Sequence, residues 1–176
     1  MVLLEPNVLL DEMFGICIEG EIRPHEQAAA PIRCYELNAE TASILDGLRK
    51  GADANPLMHH CFVNLTILWL VTPEGAIKFC IEQSIEGAAD GIPFPRTRGV
   101  SHGVAVRHLG HPMLCEDGWA RIAGEIYLDQ GPDGLYWVLT NKSGRFGSGH
   151  DRKDEHLENV AAQFAFYGIE METDFS

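Results

Sequence analysis

The chain has 176 residues, enough for one domain that buries about 70% of its unfolded surface. With 45% hydrophobic and 22% charged residues, its composition excludes a disordered or repetitive chain. Thirteen Lys and Arg residues against 26 Asp and Glu residues give a formal net charge of −13. This charge disfavours general nucleic-acid binding and favours basic partners. We therefore expect a single domain, residues 1–176, with no affinity for nucleic acid through its bulk charge.

The N-terminal third predicts helices. Pro6 and the stretch 24–30 favour two short ones. A clearer helix follows Asn38, which is a suitable N-cap, and Gly51 is expected to end it.

The middle of the chain predicts a sheet built from two hairpins. Residues 65–72 are apolar on both faces, as in a buried central strand, and a turn leads into residues 76–83, whose alternation predicts one buried face. An extended stretch covers residues 100–109. The second hairpin joins residues 119–128 to 135–141 through a turn rich in proline and glycine.

A final helix is predicted from about Asp154 to Tyr167, where Leu157, Val160 and Phe164 form an apolar stripe. The expected fold is therefore α+β: a mostly antiparallel sheet built from hairpins, flanked by N-terminal helices and a C-terminal helix.

The longest apolar run, residues 65–71, is far too short to cross a membrane, and the N-terminus lacks the basic residues of a signal peptide. The five cysteines are odd in number and show no C-x-x-C spacing, which argues against a disulfide framework or a cysteine-built zinc site. These features predict a cytoplasmic protein with reduced thiols and no membrane partner.

The predicted strand 119–128 carries unusual polar residues. Regular alternation puts two large aromatics, an arginine and a glutamate on one face: Trp119, Arg121, Glu125 and Tyr127. One interpretation is a ligand cleft in which Glu125 acts as acid, base or hydrogen-bond acceptor. The other is a face covered by a helix or loop, with Arg121 and Glu125 paired at its rim.

A glycine-rich basic loop, residues 142–153, precedes the last helix. Its backbone amides, together with Arg145, could bind a phosphate or carboxylate. Asp154 and Glu155 at the helix start oppose an anion there, and a mobile surface loop is the favoured alternative.

The histidines do not predict a metal site. In one extended strand, His102 and His108 would lie about 20 Å apart. His108 and His111 would need further ligands that the sequence does not identify. No pattern identifies a cofactor.

Several residues nevertheless form an ordered pattern: His111, Gly118, Ala123-Gly124-Glu125, Asn141 and Ser143-Gly144. The pattern resembles a module in the C-terminal regions of bacterial polymorphic toxins and related effectors. It covers roughly residues 66 to 170. Arg145-Phe146 stands where the module has His-Tyr, so no role of that histidine carries over. The resemblance implies a context, and not a reaction.

Two hypotheses follow. The first is an effector-type domain, delivered to another cell in that case, that binds or acts on a small anionic ligand at the second hairpin. Its catalytic candidates are His111, Glu125 and Ser143, and its ligand-binding candidates are Trp119, Arg121, Tyr127, Asn141 and Arg145. The alternative is an acidic immunity or inhibitor protein that binds a basic protein partner.

Overall fold

The computed structural model describes residues 7–28, 34–86, 92–100, 105–115, 117–147, 149 and 151–176. Within these ranges the helices are α1 (Val8–Phe14), α2 (Pro24–Ala28), α3 (Ala39–Ala54), α4 (Pro56–Phe62), α5 (Asp154–Phe166) and a 3₁₀ helix (His111–Leu114). The strands there are β1 (Ile18–Glu19), β2 (Tyr35–Glu36), β3 (Ile67–Val71), β4 (Ile77–Ile81), β5 (Gln83–Glu86), β6 (Phe94–Pro95), β7 (Val106–His108), β8 (Trp119–Ala120), β9 (Ala123–Gly131), β10 (Gly134–Thr140) and β11 (Met171–Asp174).

The main sheet has the strand order β11-β10-β9-β3-β4-β2, counted over the described residues. All its neighbouring strands are antiparallel except β10 and β11, which are parallel and are connected by α5. The predicted α+β class and the mostly antiparallel sheet are confirmed. The last strand was not predicted, because Met171–Asp174 is a short and mainly polar segment at the edge of the sheet.

Both predicted hairpins are present. β3 pairs with β4, and β9 pairs with β10 through a turn in which Gly131 lies opposite Gly134. Gly134 has φ 117°, a backbone conformation that glycine adopts readily and other residues rarely do. Glycine at this position therefore suits the tight turn of the hairpin.

Apolar side chains cover both faces of the main sheet. One face packs against α1, α3 and α5, through residues such as Trp69, Leu45 and Phe164. The opposite face packs against the 3₁₀ helix, a small sheet of order β6-β5-β7 and the loop after β10, through residues such as Leu68 and Phe146. The sheet is therefore a middle layer. None of the helices in the described ranges combines the length and apolar character that crossing a membrane requires.

Asn38 caps α3 as predicted, and its side chain accepts hydrogen bonds from Glu40 N and Thr41 N. The prediction that Gly51 ends this helix was wrong, since α3 continues to Ala54. A side chain at Gly51 would place Cβ 2.7 Å from Met58 Cε of α4. The glycine thus serves the packing of α4 against α3.

The predicted single strand 119–128 is interrupted. The Val71 N–H donates to the Ile122 carbonyl oxygen, and the Val71 carbonyl oxygen accepts from the Arg121 N–H. Arg121 and Ile122 therefore both lie opposite Val71, as in a β-bulge. β8 pairs with β1, and only β9 belongs to the main sheet. The prediction that Arg121 shares a face with Glu125 was therefore wrong.

Candidate functional site

Two residues of the ordered sequence pattern, His111 and Gly124, are in direct contact. The His111 side chain is buried, and its Nε2 donates a hydrogen bond to the Gly124 carbonyl oxygen at 2.9 Å. Since a carbonyl only accepts, Nε2 carries the proton. Burial lowers the pKa of His111 to about 4. The hydrogen bond to Gly124 raises this pKa, and the Arg145 charge lowers it further. The ring is neutral at pH 7 and is a weak base there, which argues for a packing role.

Asn141 and Ser143 bind the protein's own backbone. Asn141 Nδ2 donates to the carbonyl oxygens of Gly147 and Ser176, both at 3.0 Å, and its Oδ1 accepts from Ser176 N at 2.9 Å. Ser143 Oγ accepts from Phe146 N at 3.3 Å. Within the described residues no histidine ring is hydrogen-bonded to Ser143.

Two glycines let the loop after β10 lie directly on β9. A Cβ on Gly124 would be 1.7 Å from the Thr140 carbonyl oxygen, and a Cβ on Gly147 would be 1.7 Å from the Asn141 carbonyl oxygen. No side chain fits at either position without a backbone shift. The glycine of the Ala-Gly-Glu segment is thus required by packing.

The two arginines proposed as ligand-binding residues are engaged in internal contacts. Arg145 Nη2 binds Glu26 Oε1 at 2.7 Å, and this attaches the glycine-rich loop to α2. Arg121 binds the Asp11 carboxylate and the carbonyl oxygens of Gly15 and Pro73, on the α1 side of the sheet. Both guanidinium groups are thus held by contacts with the protein itself.

Trp119 also lies away from Glu125. It pairs with Glu19 between β8 and β1, and it lines a surface recess with Thr72, Leu114 and Cys115. Of the predicted site residues, only Glu125 and Tyr127 remain together on an accessible part of one face.

Glu125 and Tyr127 belong to a cluster with Glu82, Arg96 and Arg98, which we call the carboxylate–arginine cluster. Glu82 is only 3% exposed, and its Oε2 lies 2.6 Å from Arg96 Nη1. Burial raises the pKa of Glu82, the Arg96 charge and hydrogen bond oppose this, and the Glu125 charge adds to it. Glu82 and Glu125 therefore lie close enough for the charge of one to affect the pKa of the other.

Glu125 is half-buried, and its carboxylate forms no direct hydrogen bond or ion pair within the described residues. Burial raises its pKa, while the charges of Arg96, Arg98 and Lys142 lower it. Lys142 is itself paired with Asp174 at 2.9 Å. Glu125 is thus a carboxyl group among cations, with no fixed partner in the described ranges of the chain.

Arg98 provides the complementary charge. Its guanidinium carbon lies 3.7 Å from the centroid of the Tyr127 ring, a cation–π arrangement. It forms no salt bridge with any carboxylate of the described residues. The backbone hydrogen bonds from Arg96 N to Glu82 O (2.8 Å) and from Arg98 N to Asn64 O (2.7 Å) hold this segment against the sheet.

The sequence analysis missed Glu82, Arg96 and Arg98. The alternation in residues 76–83 predicted Glu82 on a solvent face, whereas the segment with both arginines covers it. The available indication was the Arg-Thr-Arg triplet, residues 96–98, in a chain with few cations.

Among the described residues, no group of three potential ligands is close enough to hold a metal ion. His102 lies outside those residues, and His108 is hydrogen-bonded to Ser84 Oγ at 2.7 Å.

Comparisons with protein-family models, curated proteins and solved structures found no match to the chain.

Replacing Gly124 with alanine should destabilise the fold by about 1–3 kcal/mol or more, because its Cβ collides with the Thr140 carbonyl. Urea unfolding of the variant and the wild type measures the loss. Gly144→Ala is the matched control: nothing lies within 4 Å of its Cβ position, and we expect a change within about 0.5 kcal/mol. Equal effects of the two changes would contradict the packing role of Gly124.

His111 should make stability depend on acid pH. Its folded pKa of about 4 lies below the usual value of 6.5, so the unfolded state binds more protons between these values. Stability from this group is complete above pH 6.5 and is lost as the pH falls toward 4, by about 2–3 kcal/mol at pH 4.5. Unfolding titrations of wild type and His111→Gln at pH 7.5 and 4.5 isolate this contribution.

The exposed His60, on α4, offers the control variant His60→Gln, which also removes one imidazole. Parallel pH profiles for the wild type and His111→Gln would refute a buried neutral imidazole.

Proposed function

We propose that this chain is an effector-type domain that binds a small anionic molecule at the carboxylate–arginine cluster and uses Glu125 in proton transfer. One contrast carries the proposal. Of the polar residues shared with the toxin module, His111, Asn141 and Ser143 bind the protein's own backbone, whereas Glu125 has no direct partner in the described chain. The first three residues hold β9 and the adjacent loop in place, and Glu125 is the residue that we assign to proton transfer.

Arg98 is the residue that would bind the anion. Its planar guanidinium lies on the Tyr127 ring and so has a restricted orientation, and it forms no salt bridge with the described carboxylates, so that its N–H groups could bind a carboxylate or phosphate. Arg96, bound to the buried Glu82, adds a second positive charge nearby. This arrangement favours a ligand with one anionic group and an adjacent planar or hydrogen-bonding portion.

Glu125 would exchange a proton with such a ligand. Burial raises the pKa of Glu125, and a carboxyl group with a raised pKa is the stronger base. An anion on Arg98 would also weaken the positive field that now lowers this pKa, and would bring it still higher. Ligand binding and protonation of Glu125 would therefore be coupled.

A thermal-shift screen against nucleotides, sugar phosphates and small carboxylates tests this site. A ligand at a hundred times its Kd should stabilise the fold by about 2.7 kcal/mol, a shift of roughly 5–10 °C. Arg98→Gln should remove the shift. Glu125→Gln should leave the Tm of the free protein unchanged or higher, since it removes a half-buried charge, and should alter the pH dependence of binding.

Arg107→Gln and Glu86→Gln, which change exposed residues of the small sheet, are the matched controls and should retain the shift. A shift that survives Arg98→Gln would refute the proposed site. The absence of a shift with every compound would favour the second candidate.

The second candidate is an acidic immunity or inhibitor protein in the cytoplasm that binds a basic protein. The supporting observation is the net charge of −13, with exposed acids on and around the C-terminal elements α5 and β11: Glu155, Glu158, Glu170 and Glu172. Opposite potentials would accelerate association with a basic partner.

In this case the affinity for the partner should fall on the order of tenfold or more between low and high salt, mainly through slower association. Surface plasmon resonance at several salt concentrations measures both rates. Glu158→Gln with Glu172→Gln should slow association more than the control pair Glu36→Gln with Glu40→Gln near the opposite sheet edge. Binding that is insensitive to salt would exclude this function.

A further inference from the structure

Two cysteines lie opposite each other at the β2 edge of the main sheet. In the register between β2 and β4, Tyr35 pairs with Phe79 and Glu36 pairs with Lys78. Continuing this antiparallel register by one residue brings Cys34 opposite Cys80. The two thiols lie near enough for each to shift the pKa of the other, and Cys34 Sγ donates a hydrogen bond to the Met113 carbonyl oxygen at 3.6 Å.

The hydrogen-bond pattern defines the type of pair. Leu37 N donates to Ile77 O at 2.8 Å, which marks residues 37 and 77 as a hydrogen-bonded pair. Pairs alternate along an antiparallel ladder, so Cys34 and Cys80 form a non-hydrogen-bonded pair, with Cα atoms about 4.5 Å apart. A disulfide spans Cα separations of about 4.4–6.8 Å. The backbone therefore admits a Cys34–Cys80 bond without rearrangement.

We propose that Cys34 and Cys80 form a thiol modification site at which a small-molecule disulfide converts the pair into an intramolecular cross-strand disulfide. The proposal is independent of the function argued above and rests on the register of β2 and β4.

The two thiols differ in accessibility and acidity. Cys34 is exposed, and Cys80 is 2% exposed. Interaction with the Cys80 thiol lowers the pKa of Cys34 and outweighs burial, with a contribution from the Lys78 charge. The same interaction, together with burial, raises the pKa of Cys80. Since the thiolate is the nucleophile, Cys34 is the attacking residue and Cys80 the resolving one.

The reaction has two exchange steps. The Cys34 thiolate attacks one sulfur of the small disulfide, forms a mixed disulfide and releases one thiolate. Cys80 then transfers its proton to a released thiolate and attacks the Cys34 sulfur, which displaces the second small thiol. The protein loses two electrons and two protons, and the small disulfide is reduced to two thiols.

The new bond would attach the two-residue strand β2 covalently to β4. β2 is held in the main sheet only through β4, since it is the edge strand. Cys80 pairs with Leu68, and Leu68 pairs with Glu125, so the bond forms two strands away from Glu125 but only two residues along the chain from Glu82 of the carboxylate–arginine cluster.

The test uses oxidised glutathione as the probe on the folded protein. After incubation, the remaining thiols are alkylated with iodoacetamide, and the peptides are mapped by mass spectrometry without reduction. We expect a product lighter by two hydrogens, with Cys34 joined to Cys80. Its Tm should rise on the order of 5–10 °C and return to the original value with dithiothreitol.

Two variants separate the steps. Cys80→Ser should stop at a stable mixed disulfide on Cys34, and Cys34→Ser should leave Cys80 unmodified because it is buried. Cys61, exposed on α4, is the internal comparison, and Cys34 should react several-fold faster. The proposal is overturned if wild-type Cys34 accumulates glutathione without linking to Cys80, if Cys61 reacts faster, or if the same linkage forms equally in concentrated urea.

Discussion

The close approach of the loop after β10 to strand β9 is the contact on which the arrangement of the site depends. The Thr140 carbonyl occupies the space where a side chain at Gly124 would lie, and the Asn141 carbonyl does the same at Gly147. Protein interiors are packed about as densely as organic crystals and have no space for an added methyl group at such positions. Because neither glycine has a side chain, the loop packs directly against the hairpin beside Glu125.

Buried polar groups reinforce this unit. His111 binds the Gly124 carbonyl, and Asn141 joins the loop to the last residue of the chain. A buried polar group is costly unless it is hydrogen-bonded, so these contacts specify one arrangement of the backbone. For His111 and Asn141, backbone geometry therefore explains the residue types that form the ordered sequence pattern. Glu125 differs because its carboxylate is half-buried and has no direct partner among the residues that the structure describes.

Sequence patterns predicted the elements that depend on interactions between residues close together in the chain. The Asn38 cap, the two hairpins and the last helix follow from capping, turn chemistry and periodicity, which act over a few residues. The bulge at Arg121 and the burial of Glu82 did not follow from such patterns. Each depends on a partner more than 10 residues away: Val71 for the bulge, and Arg96 for Glu82.

The sequence by itself determined the fold class, the hairpin turns and the strong negative charge, and it selected Glu125 and Tyr127 as candidate site residues. Only the tertiary structure decided which charges meet. It directed Arg121 to α1 and Arg145 to α2, and it brought Arg96 and Arg98 onto the face of Glu125. The physical reason is that alternation specifies a side of a strand, whereas the segment that covers that side comes from a distant part of the chain.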